Sequence, residues 1–249
     1  MTFQSPVDKH QYVNTMFGRI AHRYDLMNRI MTGGQDRRWR QLLIQQAHLP
    51  AHGRLLDIAT GTGDIAFEAL RQHHQLSLVV GADFTLPMMQ VGQQRWSRYF
   101  AQTADHKIDK VRKRLSWSGA DTLHLPFPDN SFDAVVSGFL MRNVIDVSRA
   151  LAEQARVCKR EGRVLILEIP RPPNNLLGIL FRLYFHNVIP LLGGLITGQR
   201  DAYRYLPASA DAFLQPDELK VEMEKVGLQH VNYQMLMFNT VALHGGIKW

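Results

Sequence analysis

The sequence predicts an open, doubly wound α/β fold, and three observations carry that prediction. From residue 54 onward, short β-rich runs alternate with segments of helical periodicity. The runs are continuously apolar, as strands covered on both faces of a parallel sheet must be. A glycine turn, Gly61-Thr62-Gly63, closes the first run and opens a helix, where ligands of such folds gather.

The elements follow in order. Before about residue 50 the chain reads as helical, with Trp39, Leu42, Leu43, Gln46 and Ala47 on one face. Arg54 to Thr60 is a strand ending in glycines, and Asp64 to Arg71 a helix with Ile65, Ala66, Ala69 and Leu70 inward. Leu76 to Asp83 is the second strand. Pro87 suits the first turn of a helix marked by Met88, Gly92, Trp96 and Tyr99. The polar, basic stretch from Gln102 to Arg114 reads as an extended connection. Strands follow at Leu115 to Ala120 and Phe132 to Ser137, then a helix with Val147, Leu151, Ala155 and Cys158 in register. Gly162 to Ile169 is the most apolar strand. Pro216 to Val226 reads as a helix stopped by Gly227, with strands near 228–236 and 240–244.

Composition narrows the classes. The chain has 249 residues, 45% apolar and 20% charged, which excludes a disordered tail, a coiled coil and a fibrous repeat. Cys158 is the only cysteine, so no intrachain disulfide and no cysteine zinc module can form; a reducing compartment fits. The N-terminus lacks the apolar core of a secretory signal. A net charge of +7 admits nucleic acid, an anionic membrane or an acidic ligand. The basic clusters at Arg37–Arg40 and Lys107–Arg114 read equally well as solvated faces.

The glycine turn can hold an adenosine cofactor. Glycines let the backbone approach a ligand, and a helix N-terminus beneath adds donors. Asp83, about twenty residues on at the end of the second strand, suits both hydroxyls of a ribose. Two cofactors compete. Gly61-Thr-Gly63-Asp-Ile-Ala66 satisfies a permissive dinucleotide fingerprint. Asp57 and Asp64 would repel a pyrophosphate there, whereas S-adenosylmethionine carries a sulfonium and an ammonium. The charges favour S-adenosylmethionine.

Several segments resemble the class I S-adenosylmethionine methyltransferases, specifically the quinone-biosynthesis C-methyltransferases. They are Met16-Phe-Gly-Arg-Ile-Ala-His-Arg-Tyr-Asp-Leu-Met-Asn28, the loop 57–64, Ala120 to Asp133, Arg142-Asn-Val144, Ala202-Tyr-Arg-Tyr-Leu-Pro207 and Val241-Ala-Leu-His244. The resemblance implies a mostly parallel seven-stranded sheet in a single domain. It divides into a helical cap (1–50), a cofactor-binding core (51–170), an apolar substrate lid (171–215) and a C-terminal helix with strands (216–249). It also implies that Thr62 with Gly61 and Gly63 lines the methionine and sulfonium end, Asp83 holds the ribose, and Asp121 and Thr122 flank the adenine, with Asp57 a further member of the cofactor-binding set. Gly138 stands where the bacterial pattern often has a serine, so a hydroxyl contact is lost there and its backbone is left as the expected contact to the cofactor. Residues 32–36, Thr-Gly-Gly-Gln-Asp, also depart from the family.

Methyl transfer to a ring carbon of a hydroquinone needs an ionised or strongly hydrogen-bonded neighbouring hydroxyl. Arg142, beside Asn143 just past the fourth strand, suits anion stabilisation; an ion pair with Asp146 is its structural alternative. Tyr24 and Tyr203 complete the candidate set, Tyr24 with Arg142 at the chemistry and Tyr203 with Asn143 at the substrate. No metal is expected.

Residues 176–197 are nearly continuous hydrophobe, long enough to span a bilayer. Arg182, His186, Asn187 and Pro190 argue against a span. A buried helical hairpin and a lid for an isoprenoid chain remain the two readings. The partners expected are a prenylated quinol and a membrane surface touched peripherally, with no nucleic acid and room for a homodimer. The expected location is the cytoplasm, at the inner face of the cell membrane. Demethylmenaquinol is the expected acceptor and the benzoquinol precursor of ubiquinone its alternative. More distant alternatives are an RNA or protein methyltransferase and a silent lipid-binding module. Ser137-Gly-Phe-Leu lacks the acidic or Asn residue and paired prolines of base-methylating sites.

Overall fold

The computed structural model describes residues 6–101 and 113–249, so most of the stretch expected as an extended connection lies outside the described residues. Five strands run parallel: β1 (Arg54–Ile58), β2 (Leu78–Asp83), β3 (Leu115–Gly119), β4 (Phe132–Gly138) and β5 (Cys158–Glu168). Two more, β6 (Leu228–Leu236) and β7 (Val241–Lys248), complete a seven-stranded sheet ordered β3-β2-β1-β4-β5-β7-β6. β7 lies antiparallel to both β5 and β6. The order reverses between β1 and β4, which makes their C-terminal ends the switch point.

Successive side chains of a strand leave opposite faces, and that alternation divides two cores. Leu55, Val79, Leu165 and Leu167 face one way, against α3 (Asp36–Gln46) and α4 (Asp64–Gln72). Leu56, Val80, Val164 and Ile166 face the other, towards α6 (Val147–Val157) and α10 (Pro216–Lys225). The sixteen-residue α5 (Leu86–Ala101) connects β2 towards β3. α6 ends one residue earlier than its apolar stripe suggests. Cys158 has extended backbone and pairs with Phe132 as the first residue of β5, because the chain turns straight from helix into strand. It is fully buried, and burial pushes its thiol up to about 12.

A third core joins the N-terminal helices to the apolar segment. α1 (Pro6–Ile20) and α2 (Tyr24–Thr32) supply Met16, Ile20 and Met27. The departure at residues 32–36 is a tight turn: Gly33 and Gly34 take φ of 57° and 78°, linking α2 to α3. Residues 176–197 form one continuous helix, not a buried hairpin. α7 (Leu176–Leu183) passes through a π turn at Tyr184–Val188 into α8 (Ile189–Thr197). By length and composition it could cross a membrane, with a mean hydropathy of 1.5. One side is anchored: Phe185 and Ile189 pack on Tyr203 and Leu206 of α9 (Arg200–Asp211). A Cβ on Gly193 would sit 2.2 Å from the Tyr203 ring, so only glycine admits this contact. The other side is bare, with Leu176 71% and Leu195 76% exposed.

Candidate active site

The loop after β1 is folded from beneath by Asp57. Its Oδ2 accepts from the Thr60 hydroxyl at 2.6 Å and from the Ala66 amide at 3.1 Å. Asp57 is fully buried, its Oδ1 has no hydrogen-bond partner, and burial pushes its pKa up to about 7. Gly61 and Gly63 take φ of 57° and 87°, where L side chains are strained. The Gly61 amide donates to Asp83 Oδ2 at 2.7 Å, and the Thr85 amide to Oδ1 at 2.6 Å. Asp83 therefore ties the end of β2 to the glycine loop, with lone pairs left on both oxygens. Burial raises its pKa even though these amides oppose the shift.

A cleft of about 880 Å³, open to solvent, lies over this loop. Gly61, Asp83, Asp121, Thr122, Gly138 and Asn143 line it, as does Tyr24. Asp57, Thr62 and Gly63 do not. The Thr62 hydroxyl donates instead to Asp25 Oδ1 at 2.6 Å, and its carbonyl accepts from Arg95 at 3.1 Å. Arg95 also pairs with Asp64 at 2.7 Å, and Arg40 reaches Asp64 at 3.1 Å. The Asp64 charge that counted against a pyrophosphate is thus held by two guanidiniums behind the loop.

The cleft itself still separates the two cofactors. Asp83 and Asp121 line it, and no Lys or Arg does among the described residues. Such walls suit a cation and disfavour a pyrophosphate. The Thr122 hydroxyl is buried there without a partner, which a polar atom of an adenine would satisfy. The residues present fit S-adenosylmethionine. At Gly138, a serine Cβ would come within 2.8 Å of Ile65 Cδ1, so Ile65 fills the space a side chain would need.

A second, largely apolar cavity of about 740 Å³ adjoins the cleft, and Tyr24 and Phe139 line both. Arg142 and Tyr203 line only the second. The Arg142 guanidinium pairs with Glu168, not with Asp146. Asp146 is instead the cap of α6, accepting from the Arg149 amide at 2.8 Å. Glu168 also accepts from the Arg142 and Ile169 amides, at 3.2 and 2.8 Å. Arg142 Nε stays buried without a partner, and so does the Tyr203 hydroxyl. Thr197, the polar neighbour of Tyr203, turns its own hydroxyl to the Gly193 carbonyl at 2.7 Å. Burial raises the Tyr203 phenol to about 12 and pushes that of Tyr24 upward as well.

Sequence reasoning missed several positions. Glu168, a lone carboxylate closing the most apolar strand, was the readable signal for an inward ion pair. Tyr205 donates to Asn143 Oδ1 at 3.1 Å while the Asn143 amide donates to the Phe139 carbonyl at 2.9 Å, fixing that side chain. Ala59 and Phe139, one residue past the ends of β1 and β4, have φ of 53° and 59°, and both line the cleft. Strain at two strand ends flanking a switch point is a mark of a working site.

The sheet order, the antiparallel β7 and the acidic cleft over a glycine loop define a class I methyltransferase fold. Solved structures agree on the fold. A methyltransferase from Aquifex aeolicus superposes with a TM-score of 0.58 at 13% identity, covering 84% of this chain and 89% of its own. A Haemonchus contortus methyltransferase, determined with phosphomonomethylethanolamine and S-adenosylhomocysteine, gives 0.63 at 17% identity, covering 100% of this chain and 60% of its own.

The chain belongs to the ubiE/COQ5 methyltransferase family, whose model matches residues 6–248. It is 43% identical to a demethylmenaquinone methyltransferase of Thermus thermophilus, over 93% of this chain and 99% of that one. A protein of the same name from Roseiflexus castenholzii is 42% identical over 98% and 96%. A ubiquinone/menaquinone biosynthesis C-methyltransferase of Desulfotalea psychrophila is 39% identical over 95% and 90%.

Proposed function

We propose that this protein methylates a ring carbon of a prenylated quinol, with demethylmenaquinol as its acceptor. One observation carries the reading: an apolar cavity shares Tyr24 and Phe139 with the acidic cleft and holds two buried, unpartnered donors, Arg142 Nε and the Tyr203 hydroxyl. An aromatic ring bearing a hydroxyl satisfies both donors and fills the apolar remainder.

When bound in the cleft, S-adenosylmethionine supplies an electrophilic methyl group. Asp83 holds its ribose, Asp121 and Thr122 its adenine, and Gly61 gives it room at the loop. Asp57, Thr62 and Gly63 act at one remove, by holding the loop's shape. As the acceptor's hydroxyl gives its proton to solvent, Arg142 stabilises the phenolate left behind, which raises electron density at the neighbouring ring carbon; after methylation that carbon's proton moves to the oxygen and restores the aromatic ring. Tyr24 and Tyr203 remain protonated at neutral pH and donate to the same oxygens. Asn143, held by Tyr205, orients the ring between the two cavities.

The naphthoquinol is preferred because relatives at 43% and 42% identity carry the demethylmenaquinone name, whereas a dual-named relative is 39% identical. Peripheral membrane contact belongs to the same reading. The bare leucine side of residues 176–197 and the net charge of +7 support weak docking to an anionic surface. The deciding experiment offers labelled S-adenosylmethionine with reduced demethylmenaquinone or the benzoquinol precursor and identifies the product by mass. Label in neither quinol would overturn the reading; label in the benzoquinol alone would reassign the acceptor.

A further inference from the structure

The apolar cavity has two unlike ends. Towards the cleft lie the buried Arg142 and Tyr203. Besides Ile169 and the shared Tyr24 and Phe139, the lining residues that are only partly buried are Met31 and Thr32 of α2, Phe181 and Tyr184 of the apolar helix, and Met237 and Thr240 of the β6–β7 connection. Three segments remote in sequence thus meet in one rim. Tyr184 bridges it, its hydroxyl donating to the Met31 carbonyl at 3.2 Å.

Two local features mark this rim as more than a packing seam. Tyr184 opens the π turn, an irregularity that concentrates at functional places in helices. In the β6–β7 connection, Met237, Phe238 and Asn239 have φ of 44°, 54° and 66°, three consecutive left-handed residues without a glycine. Such strain persists only where surrounding structure enforces it. Beyond the rim the surface stays apolar: Phe238 is 81% and Leu183 57% exposed.

We propose that the acceptor's prenyl chain leaves the cavity through this rim, with Met237 and Thr240 on one side and the Tyr184–Met31 bridge as a latch on the other. The inference rests on the quinol reading and adds where the chain runs. The rim supplies partly exposed lining residues that continue onto exposed Phe238 and Leu183, so a chain leaving there meets apolar surface instead of water.

The test compares two reduced demethylnaphthoquinones, one with four isoprene units and one with none. The readout is the ratio of their kcat/KM values in the wild type and in two variants, Met237→Asp and Thr240→Phe. The first places a charge on the chain's path and the second obstructs it. Each should lower the long-to-short ratio about tenfold or more. Calorimetric titration with S-adenosylhomocysteine checks that the variants are folded. Quenching of Trp39, which lines the cavity, by the oxidised long-chain quinone gives a readout independent of turnover, and it should weaken in both variants. An unchanged ratio with unchanged quenching overturns the exit while leaving the acceptor reading in place. A wild type that methylates no prenylated quinol overturns that reading and the exit with it.

Discussion

Arg142 and Glu168 form an ion pair inside the protein, with side chains 4% and 1% exposed; Arg142 lies just beyond the end of β4, and Glu168 ends the adjacent parallel β5. The carboxylate is held by two backbone amides as well, so it cannot turn away. The pair fixes a guanidinium against the apolar cavity, with its central carbon 5.5 Å from the centre of the Phe139 ring. A cation buried in this way needs its counter-ion, and losing one partner costs about 3–5 kcal/mol.

Glu168→Gln should therefore lower stability by about 3 kcal/mol and reduce kcat, because Arg142 loses both its charge partner and its fixed pose. Arg142→Lys keeps a positive charge but loses the planar fork, and should lower kcat with little change in cofactor affinity. Thermal unfolding, steady-state kinetics and calorimetry on both variants check this. An equal loss of rate and cofactor binding in Arg142→Lys would assign Arg142 a purely structural role.

Asp83→Ala removes charge-assisted bonds to a ribose and the tie to the Gly61 amide. Affinity for S-adenosylhomocysteine should fall by about 2–3 kcal/mol, roughly 30- to 150-fold. Calorimetric titration measures it directly, and unchanged affinity would remove Asp83 from the site.

Asp57 gives the fold a pH dependence. Its carboxyl titrates at about 7 in the folded protein and about 3.9 when unfolded, so the folded state binds more protons between those values. Its contribution to stability is full below about pH 4 and is lost as pH rises through about 7. Asp57→Asn stays neutral and removes that slope. The difference in Tm between the wild type and the Asp57→Asn variant should shift in the variant's favour as pH rises from about 5 to about 8. A constant difference would mean that Asp57 is ionised throughout.

Leu180→Asp places a charge on the bare side of the apolar helix, where Leu180 is 53% exposed. Wild-type protein should float with anionic vesicles at low salt and leave them as salt rises, since each nearby Lys or Arg contributes about 1 kcal/mol, screened over about 10 Å. The variant should bind less at every salt concentration. Salt-independent retention of the wild type would indicate a spanning segment instead.

The order of strands and helices from residue 54 onward was legible because buried strands leave continuous apolar runs and helices leave a 3.6-residue period. The glycine loop and Asp83 beside it were legible because a tight turn at the end of a strand demands glycine, and the end of the next parallel strand lies next to that turn; Asp57 was legible as part of the loop, not as the residue that holds it from beneath. These are local requirements, written within a few residues or one βαβ unit. Their partners were not. That Thr62 bonds Asp25, that Asp64 is neutralised by Arg40 and Arg95, and that Arg142 pairs with Glu168 depend on side chains separated by 24 to 37 residues.

The apolar segment shows the same division. Its hydrophobicity was plain from composition, and its length allowed a span, a hairpin or a lid. Which residues it buries was decided by Gly193 meeting the Tyr203 ring and by Phe185 and Ile189 joining the core of α1, α2 and α9. The sequence by itself determined a doubly wound fold, a glycine loop and a carboxylate closing the second strand, because backbone conformation and strand burial are set by near neighbours. Tertiary structure alone decided which charges cancel, which donors are left unpartnered and where the second cavity opens, because Coulombic pairing and desolvation depend on distance in space, and the chain brings remote residues together only when it folds.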